Sequence, residues 1–487
     1  MTPQYLPGLQ LSTLRKKPGS AQQKLIEQLK EIKQKSLSQL DECFRQYIPS
    51  TMLKQSNNGT MSRRRIFSFE NTFWMFFSQV LDADGGCQEA VRKIQAHACR
   101  KSLPQPSSST AAYCKARAKL QLENLQTIYQ HTSQYLSEQA SSGHLNGRRV
   151  IVVDGSGISM PDTEENQSKW PQQANQKPGC GFPQAVLCVC FNLHTGIALS
   201  HELGNKKSAE LSMLRQQSDT FKEDDIFLGD KGFCSYYDQS IMRENKIDSV
   251  ITLARRKPVK ASDAIEILGE NDLIIEWKKP KWNKNHSYSK VDWQALPECL
   301  RLRQIKVTVN EPGFRTTSFY IITTLLDARS YSADALADLY YQRWQVELFF
   351  RDIKTSMGMD ILRCKSPDMI HKQILMYFIV YNCIRRLIME SAIQYDVSHS
   401  RVSFKACLQA LRQWIACWIP GKDSRLESNR LMSELKSCIA DKIVPLRSGR
   451  SEPRAVKRRP KNYQLLNKPR HEMKEIQHRS KYRAEAA

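Results

Sequence analysis

"RRVIVVDGS" (residues 148–156) marks the point where the chain changes character. An apolar run closed by Asp-Gly reads as a buried β-strand ending at Asp154. The next hundred residues keep to that pattern. "AVLCVCFNL" and "GIALSHEL" form a hairpin across "HTG", and "SAELSMLRQQSDTF" is helical. "DIFLGD" is a short strand ending at Asp230, with Asp224 and Asp225 as solvated turn residues at its start. "SYYDQSIMRENK" is helical and "DSVITLA" is a strand. The order strand, hairpin, helix, strand, helix, strand predicts an α/β fold, a mixed sheet with helices on its faces. Residues 255–318 break the alternation with "EILG", "DLIIEW", "RLRQIKVTV" and polar turns, which predicts a β-rich insertion. "SFYIITTL" then returns to an apolar strand.

On either side the periodicity is helical. Residues 1–145 carry apolar spacing of 3–4 in "AQQKLIEQLKEIKQKSLSQLDECFRQY", "FENTFWMFFSQVL", "CQEAVRKIQAHACRKSL" and "AAYCKARAKLQLENLQTIYQHTSQYLSEQA". Short helices around "PQPSSST", the later one bearing Lys115, Arg117 and Lys119, fit a helical DNA-binding domain and equally an ordinary helical bundle. "SSGHLNG" is a linker, so residues 146–360 form the α/β domain. Residues 361–445 are helical again, and the basic, aperiodic run 446–487 is expected to be a flexible tail.

Among 487 residues, 73 Lys plus Arg face 49 Asp plus Glu, a formal net charge of +24. That excess predicts attraction to a polyanion, nucleic acid first. The denser basic clusters are Arg15–Lys17, Arg63–Arg65 and residues 447–483. The 14 cysteines show no paired framework and the N-terminal stretch no sustained apolar core, so reduced thiols and a cytoplasmic location are expected. Cys180, Cys188 and Cys190 match no common zinc spacing, and Cys188 and Cys190 alternate with apolar neighbours as strand residues do. No apolar run reaches the roughly 18–20 residues of a membrane span, and "ILMYFIVYNCI" (374–384) reads as a buried helix.

The chemistry-bearing candidates are Asp154, Asp230 and a helix read across "LADLYYQRWQVELFFRDIKTSMGMD" (336–360). Functional groups of α/β sheets gather at the carboxyl ends of strands, although a lone strand-end Asp is as readily a turn residue. In the helix, Tyr340, Arg343, Glu347 and Lys354 are spaced i, i+3, i+7, i+14. At about 100° per residue they share an arc of roughly 60°, leaving Val346, Phe349, Phe350 and Ile353 to pack on the sheet. Helical pairing of Glu347 with Arg343 or Arg351 is worth about 0.2–0.5 kcal/mol, but it explains neither Lys354 nor Tyr340. Three carboxylates suit hard divalent ions, which stabilise attacking and leaving oxygens in phosphoryl transfer when two stand about 3.5–4 Å apart.

These residues resemble the acidic triad and Y-R-E-K signature of DDE transposases, specifically the insertion-sequence-four family. The resemblance extends over "TAAYCKARAKL", "GCGFPQAVL", "TGIAL", "IITTLLD" and "ALADLYYQRWQVELFFRDIKTSMGMDILRCKSP", from about residue 70 to 390. It implies a ribonuclease-H-like mixed sheet with a β-rich insertion between the second and third acids, and the 117 positions from Asp230 to Glu347 leave room for one. The implied catalytic and metal-binding residues are Asp154, Asp230 and Glu347, holding Mg²⁺ or Mn²⁺, two ions, with no small-molecule cofactor. The implied partners are double-stranded DNA, both terminal inverted repeats and target, and a second copy of the chain in a homodimeric synaptic complex. Cleavage frees 3′ ends that are joined to target DNA, in a prokaryotic cytoplasm at the nucleoid. Tyr340, Arg343 and Lys354 would contact that DNA, and Phe319 would hold a flipped base, although it also reads as a core residue. Lys231 stands where the family usually has Arg. Competing readings are a DNA-binding protein without catalysis and a ribonuclease-H-like nuclease without strand transfer.

Overall fold

The computed structural model describes residues 40, 43–54, 61, 66–100, 105–138, 144–205, 210–254, 258–283, 288–308, 318–360, 362–415, 425–445 and 466–473. The expectations for Arg15–Lys17, Arg63–Arg65, most of the first helix and most of the basic tail lie outside those residues.

Among the described residues, one nine-stranded sheet organises the fold. Its strands are β1 (Val150–Ser159), β2 (Gln184–Asn192), β3 (Ala198–Asn205), β4 (Ile226–Gly229), β5 (Asp248–Thr252), β6 (Glu266–Gly269), β7 (Asp272–Lys278), β8 (Cys299–Thr308) and β9 (Ser318–Thr323). They lie in the order β3-β2-β1-β4-β5-β9-β8-β7-β6. β1 runs antiparallel to β2 and parallel to β4, and β4 runs parallel to β5. An antiparallel hairpin beside β1 followed by parallel crossovers on its other side is the ribonuclease-H-like arrangement. The β-rich stretch does not build a sheet of its own. β9 pairs with β5 through Val250↔Thr323 and with β8 through Thr308↔Ser318, so β8, β7 and β6 extend the same sheet.

Alternation along β1 explains why both faces are covered. Val150 and Val152 belong to one core and Ile151 and Val153 to the other. The second core is closed by α6 (Glu210–Arg215) and α7 (Tyr236–Glu244) through Met213, Leu214 and Tyr236. The first core receives α1 (Phe69–Leu81), α2 (Cys87–Arg100), α3 (Ala111–Ala118), α4 (Leu122–Glu138) and the long α11 (Pro367–Gln394). Between these lie α5 (Glu164–Lys169), α8 (Lys290–Ala295), α9 (Ala333–Gln342) and α10 (Gln345–Arg351), and α12 (Phe404–Trp414) and α13 (Arg425–Asp441) follow. α11 starts with Pro367 at its first turn, where a missing N–H costs nothing. Residues 374–384, within it, are buried on all sides, as their unbroken apolar run predicts. Among the described residues no helix is long and apolar enough to cross a membrane.

Three local expectations need correction. β1 does not end at Asp154: its ladder with β2 continues to Ser159↔Gln184, and only the parallel ladder with β4 stops, at Val152↔Leu228. Residues 336–360 are not one helix. The amides of Arg343, Trp344, Val346 and Glu347 each bond a carbonyl three residues back, a tightened turn between α9 and α10. Asp352–Ser356 then widens into a π-turn, with the Met357 amide on the Asp352 carbonyl. Overwinding before Glu347 and underwinding after it spread the common arc, so Tyr340 is buried while Glu347 is exposed. Asp225 is not a solvated turn residue either; it is buried against the guanidinium of Arg149, 2.8 Å from its Nε.

Candidate active site

The parallel register of β1 and β4 sets two acids side by side. Val152 faces Leu228, so two residues on Asp154 stands level with Asp230, immediately past β4. Each carboxylate is pinned by a backbone amide. Asp154 Oδ1 accepts from Gly155 N at 2.8 Å, and Asp230 Oδ1 accepts from Gly232 N at 2.7 Å. Asp230 thereby caps the short 3-10 turn Lys231–Phe233, with Lys231 exposed beside it. Capping and a functional role are compatible, since the cap uses one oxygen and leaves the other.

α10 brings the third acid to the same place. Burial pushes the Asp154 carboxyl above the usual carboxylate range. The Gly155 amide and the Arg343 guanidinium pull it back, and the charges of Asp230 and Glu347 push it further up. Asp154 thus feels Asp230, Glu347 and Arg343 at once. Glu347 makes no ion pair with Arg343 or Arg351 among the described residues, and Arg351 lies 3.7 Å from Asp352 instead. Helical charge pairing is therefore not what Glu347 is for. Lys354 reaches β1 directly: its Nζ donates to Ser156 Oγ at 2.9 Å and to Gly157 O at 2.8 Å.

The remaining predicted residues separate. Arg343 is half-buried against the rings of Tyr340 and Trp344, each 5.7 Å from its Cζ, and its buried Nε has no hydrogen-bond partner among the described residues. Tyr340 lies beneath it, 9% exposed, with its hydroxyl 3.0 Å from Thr252 Oγ1. It forms the floor of the site rather than an open stacking surface. Half-buried Phe319 packs on Tyr340 at 5.2 Å between centroids. Lys115 on α3 and Lys119 at its C-cap are exposed. Arg117 is buried: its NH1 donates to Gln79 Oε1 at 3.0 Å and its Cζ lies 4.9 Å over the Phe76 ring. That engagement removes Arg117 from the DNA-facing set.

One acid at the site went unnoticed in the sequence. Glu210, first residue of α6, lies so close to Gly155 that a Cβ there would stand 2.0 Å from Glu210 Oε1. A Cβ on Gly232 would be 2.9 Å from Asp230 Oδ1 and 3.8 Å from Glu210 Oε2. An acid in the first turn of a helix reads as a partner of the helix dipole, so nothing local distinguishes Glu210. Gly155 directly after Asp154 and Gly232 two residues after Asp230 are a hint, because each leaves room for a neighbour.

Among the described residues, no three His, Cys, Asp or Glu side chains stand close enough together to share one ion as they are arranged. The donor chemistry nonetheless fits a hard divalent cation. The ligands are carboxylate oxygens, and a carboxyl burdened by burial and by two neighbouring negative charges is relieved by a cation.

Similarity to known proteins follows the same residues. The family described as "Transposase DDE domain" matches residues 145–383. The transposase InsG for insertion sequence element IS4 of Escherichia coli (strain K12) is 23% identical over 425 residues, covering 85% of this chain and 90% of that protein. The probable transposase for insertion sequence element IS5377 of Geobacillus stearothermophilus is 36% identical over 84 residues, 17% of this chain and 22% of that one. Among solved structures, a cryo-EM structure of the piggyBac transposase synaptic complex with hairpin DNA aligns over 83% of this chain and 86% of that chain. Its TM-score is 0.42 at 8% identity.

Proposed function

We propose, for a chain that is a DDE transposase of the insertion-sequence-four type, that cutting and joining of DNA run through Asp154, Asp230 and Glu347. The observation that carries this reading is geometric: Asp154 stands on β1 and Asp230 just past the neighbouring parallel strand β4, and Lys354, seven residues past Glu347, bonds Ser156 and Gly157 just beyond Asp154. Transposases of this family use divalent metal ions; here Asp154, Asp230 and Glu347 would hold two Mg²⁺ or Mn²⁺, which activate the attacking oxygen and stabilise the leaving one. The DNA is double-stranded, first the terminal inverted repeats of the element and then the target. Water attacks the phosphorus at the element end, the bond to the 3′ oxygen breaks, and a 3′-hydroxyl is released. That hydroxyl then attacks a target phosphorus and displaces a target 3′ oxygen.

The chain's own residues orient this chemistry. The Gly155 and Gly232 amides fix the two aspartates, and Arg343 and Lys354 neutralise phosphate oxygens beside the acids. Phe319, which packs on Tyr340, would support an unstacked base at the element end. The helices at residues 1–145, with Lys115 and Lys119, recognise the repeats, and two copies of the chain bring the two ends together at the nucleoid. Asp230→Asn in the full chain is expected to abolish cleavage of terminal-repeat duplex in Mg²⁺ while leaving the affinity for that duplex near wild type. Cleavage at the wild-type rate would overturn the assignment.

A further inference from the structure

We infer that Asp352 and Arg385 are positioning residues for this reaction: their ion pair, buried between α10 and α11, holds the π-turn that delivers Lys354 to β1. The inference rests on the reading that Lys354 acts on phosphate.

A π-turn inside a helix is rare and needs something to hold its wider winding. In Asp352–Ser356 that anchor is the first residue. The Asp352 side chain points inward, buried, with Oδ2 3.2 Å from Arg385 NH2. Arg385 is itself enclosed by rings, its Cζ 4.7 Å over Phe349, 5.4 Å over Tyr381 and 5.5 Å over Phe404. Its Nε donates to the Tyr381 hydroxyl at 2.9 Å, and that hydroxyl donates to Gly196 O at 2.7 Å. Gly196 has φ +70, and a Cβ there would lie 2.9 Å from Arg385 Nε. The guanidinium therefore has one seat, fixed by the turn between β2 and β3 at one end and by Asp352 at the other.

Two residues beyond Asp352, Lys354 bridges Ser156 Oγ and Gly157 O, just past Asp154 on β1. An ordinary α-turn over the same residues would give Lys354 a different azimuth about the helix axis. A buried ion pair adds little net stability compared with apolar residues of the same volume, so stability alone is a poor reason for this one. Its geometry supplies the reason: it ties α11 and the β2–β3 turn to the angle at which Lys354 meets the site.

A double-mutant cycle on the full chain tests this. Single-turnover cleavage is measured in Mg²⁺ on pre-bound duplex carrying one terminal repeat. Lys354→Ala is expected to slow cleavage about 10²-fold, and Asp352→Asn about tenfold through misplacement of the lysine. The double variant should be no slower than Lys354→Ala alone, within about threefold, because Asp352 acts through Lys354. A purely structural role would instead multiply the two losses, and a double variant roughly 10³-fold slow would overturn the inference while leaving the phosphate role of Lys354 intact. An unchanged rate for Lys354→Ala would remove both. Should Asp352→Asn fail to fold with Arg385 left unpaired, Tyr381→Phe carries the same cycle with both charges in place. A smaller loss that vanishes in the Lys354→Ala background is then expected, and a loss that persists there overturns the inference.

Discussion

At the C-terminal end of α3, three cations at alternate positions, the last of them the capping residue Lys119, meet two different fates. Lys115 and Lys119 face solvent, whereas Arg117 turns inward, bonds Gln79 and lies over Phe76. Arg117→Ala is expected to cost roughly 1–3 kcal/mol of stability by leaving Gln79 Oε1 with the Tyr113 hydroxyl in place of two donors and by uncovering the ring faces. Lys115→Ala and Lys119→Ala should leave the melting temperature alone, weaken duplex binding and each lower the salt dependence by about one released counterion. Titrations at several salt concentrations, beside thermal melts, decide it; a binding defect in Arg117→Ala at full stability would contradict the division. Asp154, Asp230 and Glu347 stood out as candidates because an apolar run closed by Asp and an acid among helical aromatics are local patterns. The inward turn of Arg117 was not, because its partner Gln79 lies 38 residues earlier. Glu210 escaped for the same reason, since its place beside Gly155 depends on how α6 crosses the sheet.

Element by element, the limits of periodicity become visible. Apolar alternation located the strands of the insertion, but pairing is a non-local choice, and nothing in "RLRQIKVTV" states that β8 would join β9 and extend the main sheet. A search at 3.6 residues per turn also reads a tightened turn and a π-turn as one straight helix, because both stay near helical torsions; the caps at Arg343, Trp344 and Met357 are all right-handed. The end of the π-turn is marked by Gly358 at φ +84, where an added Cβ would meet nothing within 4 Å. Gly358→Ala therefore tests backbone conformation without a steric clash, and a loss of about 1–2 kcal/mol is expected from the left-handed geometry alone. Denaturant midpoints at constant m-value measure it. No change would mean the turn relaxes to a right-handed ending, and the anchoring of Lys354 would then be looser than its bonds to Ser156 and Gly157 imply.

At the scale of the whole molecule, the helical flanks and the sheet are one body, since α1–α4, the sheet and α11 share a core. His201 on β3 sits at that junction, its ring 5.4 Å from Tyr129 of α4 and 4.7 Å from Phe378 of α11. Its Nδ1 is buried without a hydrogen-bond partner among the described residues, and burial, with His371 nearby, pushes its pKa down to about 3. A second junction repeats the arrangement: His194, in the β2–β3 turn, lies 4.5 Å from His399 beyond α11, and burial followed by the charge of His399 pushes it down to about 4. A histidine held neutral in the fold binds fewer protons than in the unfolded chain, where its pKa is about 6.5. Its contribution to stability is therefore complete above that pH and is lost as pH falls toward the folded value. For the enclosed His201 the slope is about 1.4 kcal/mol per pH unit. Stability should fall between about pH 6.5 and 5, before most carboxylates titrate, with the flanks and the sheet losing structure together. In His201→Phe, which keeps an aromatic ring between Tyr129 and Phe378, the fall over that interval should be shallower by that slope. Urea midpoints for both proteins across the interval are the measurement. An equal slope in the variant would mean that His201 becomes protonated without opening the junction.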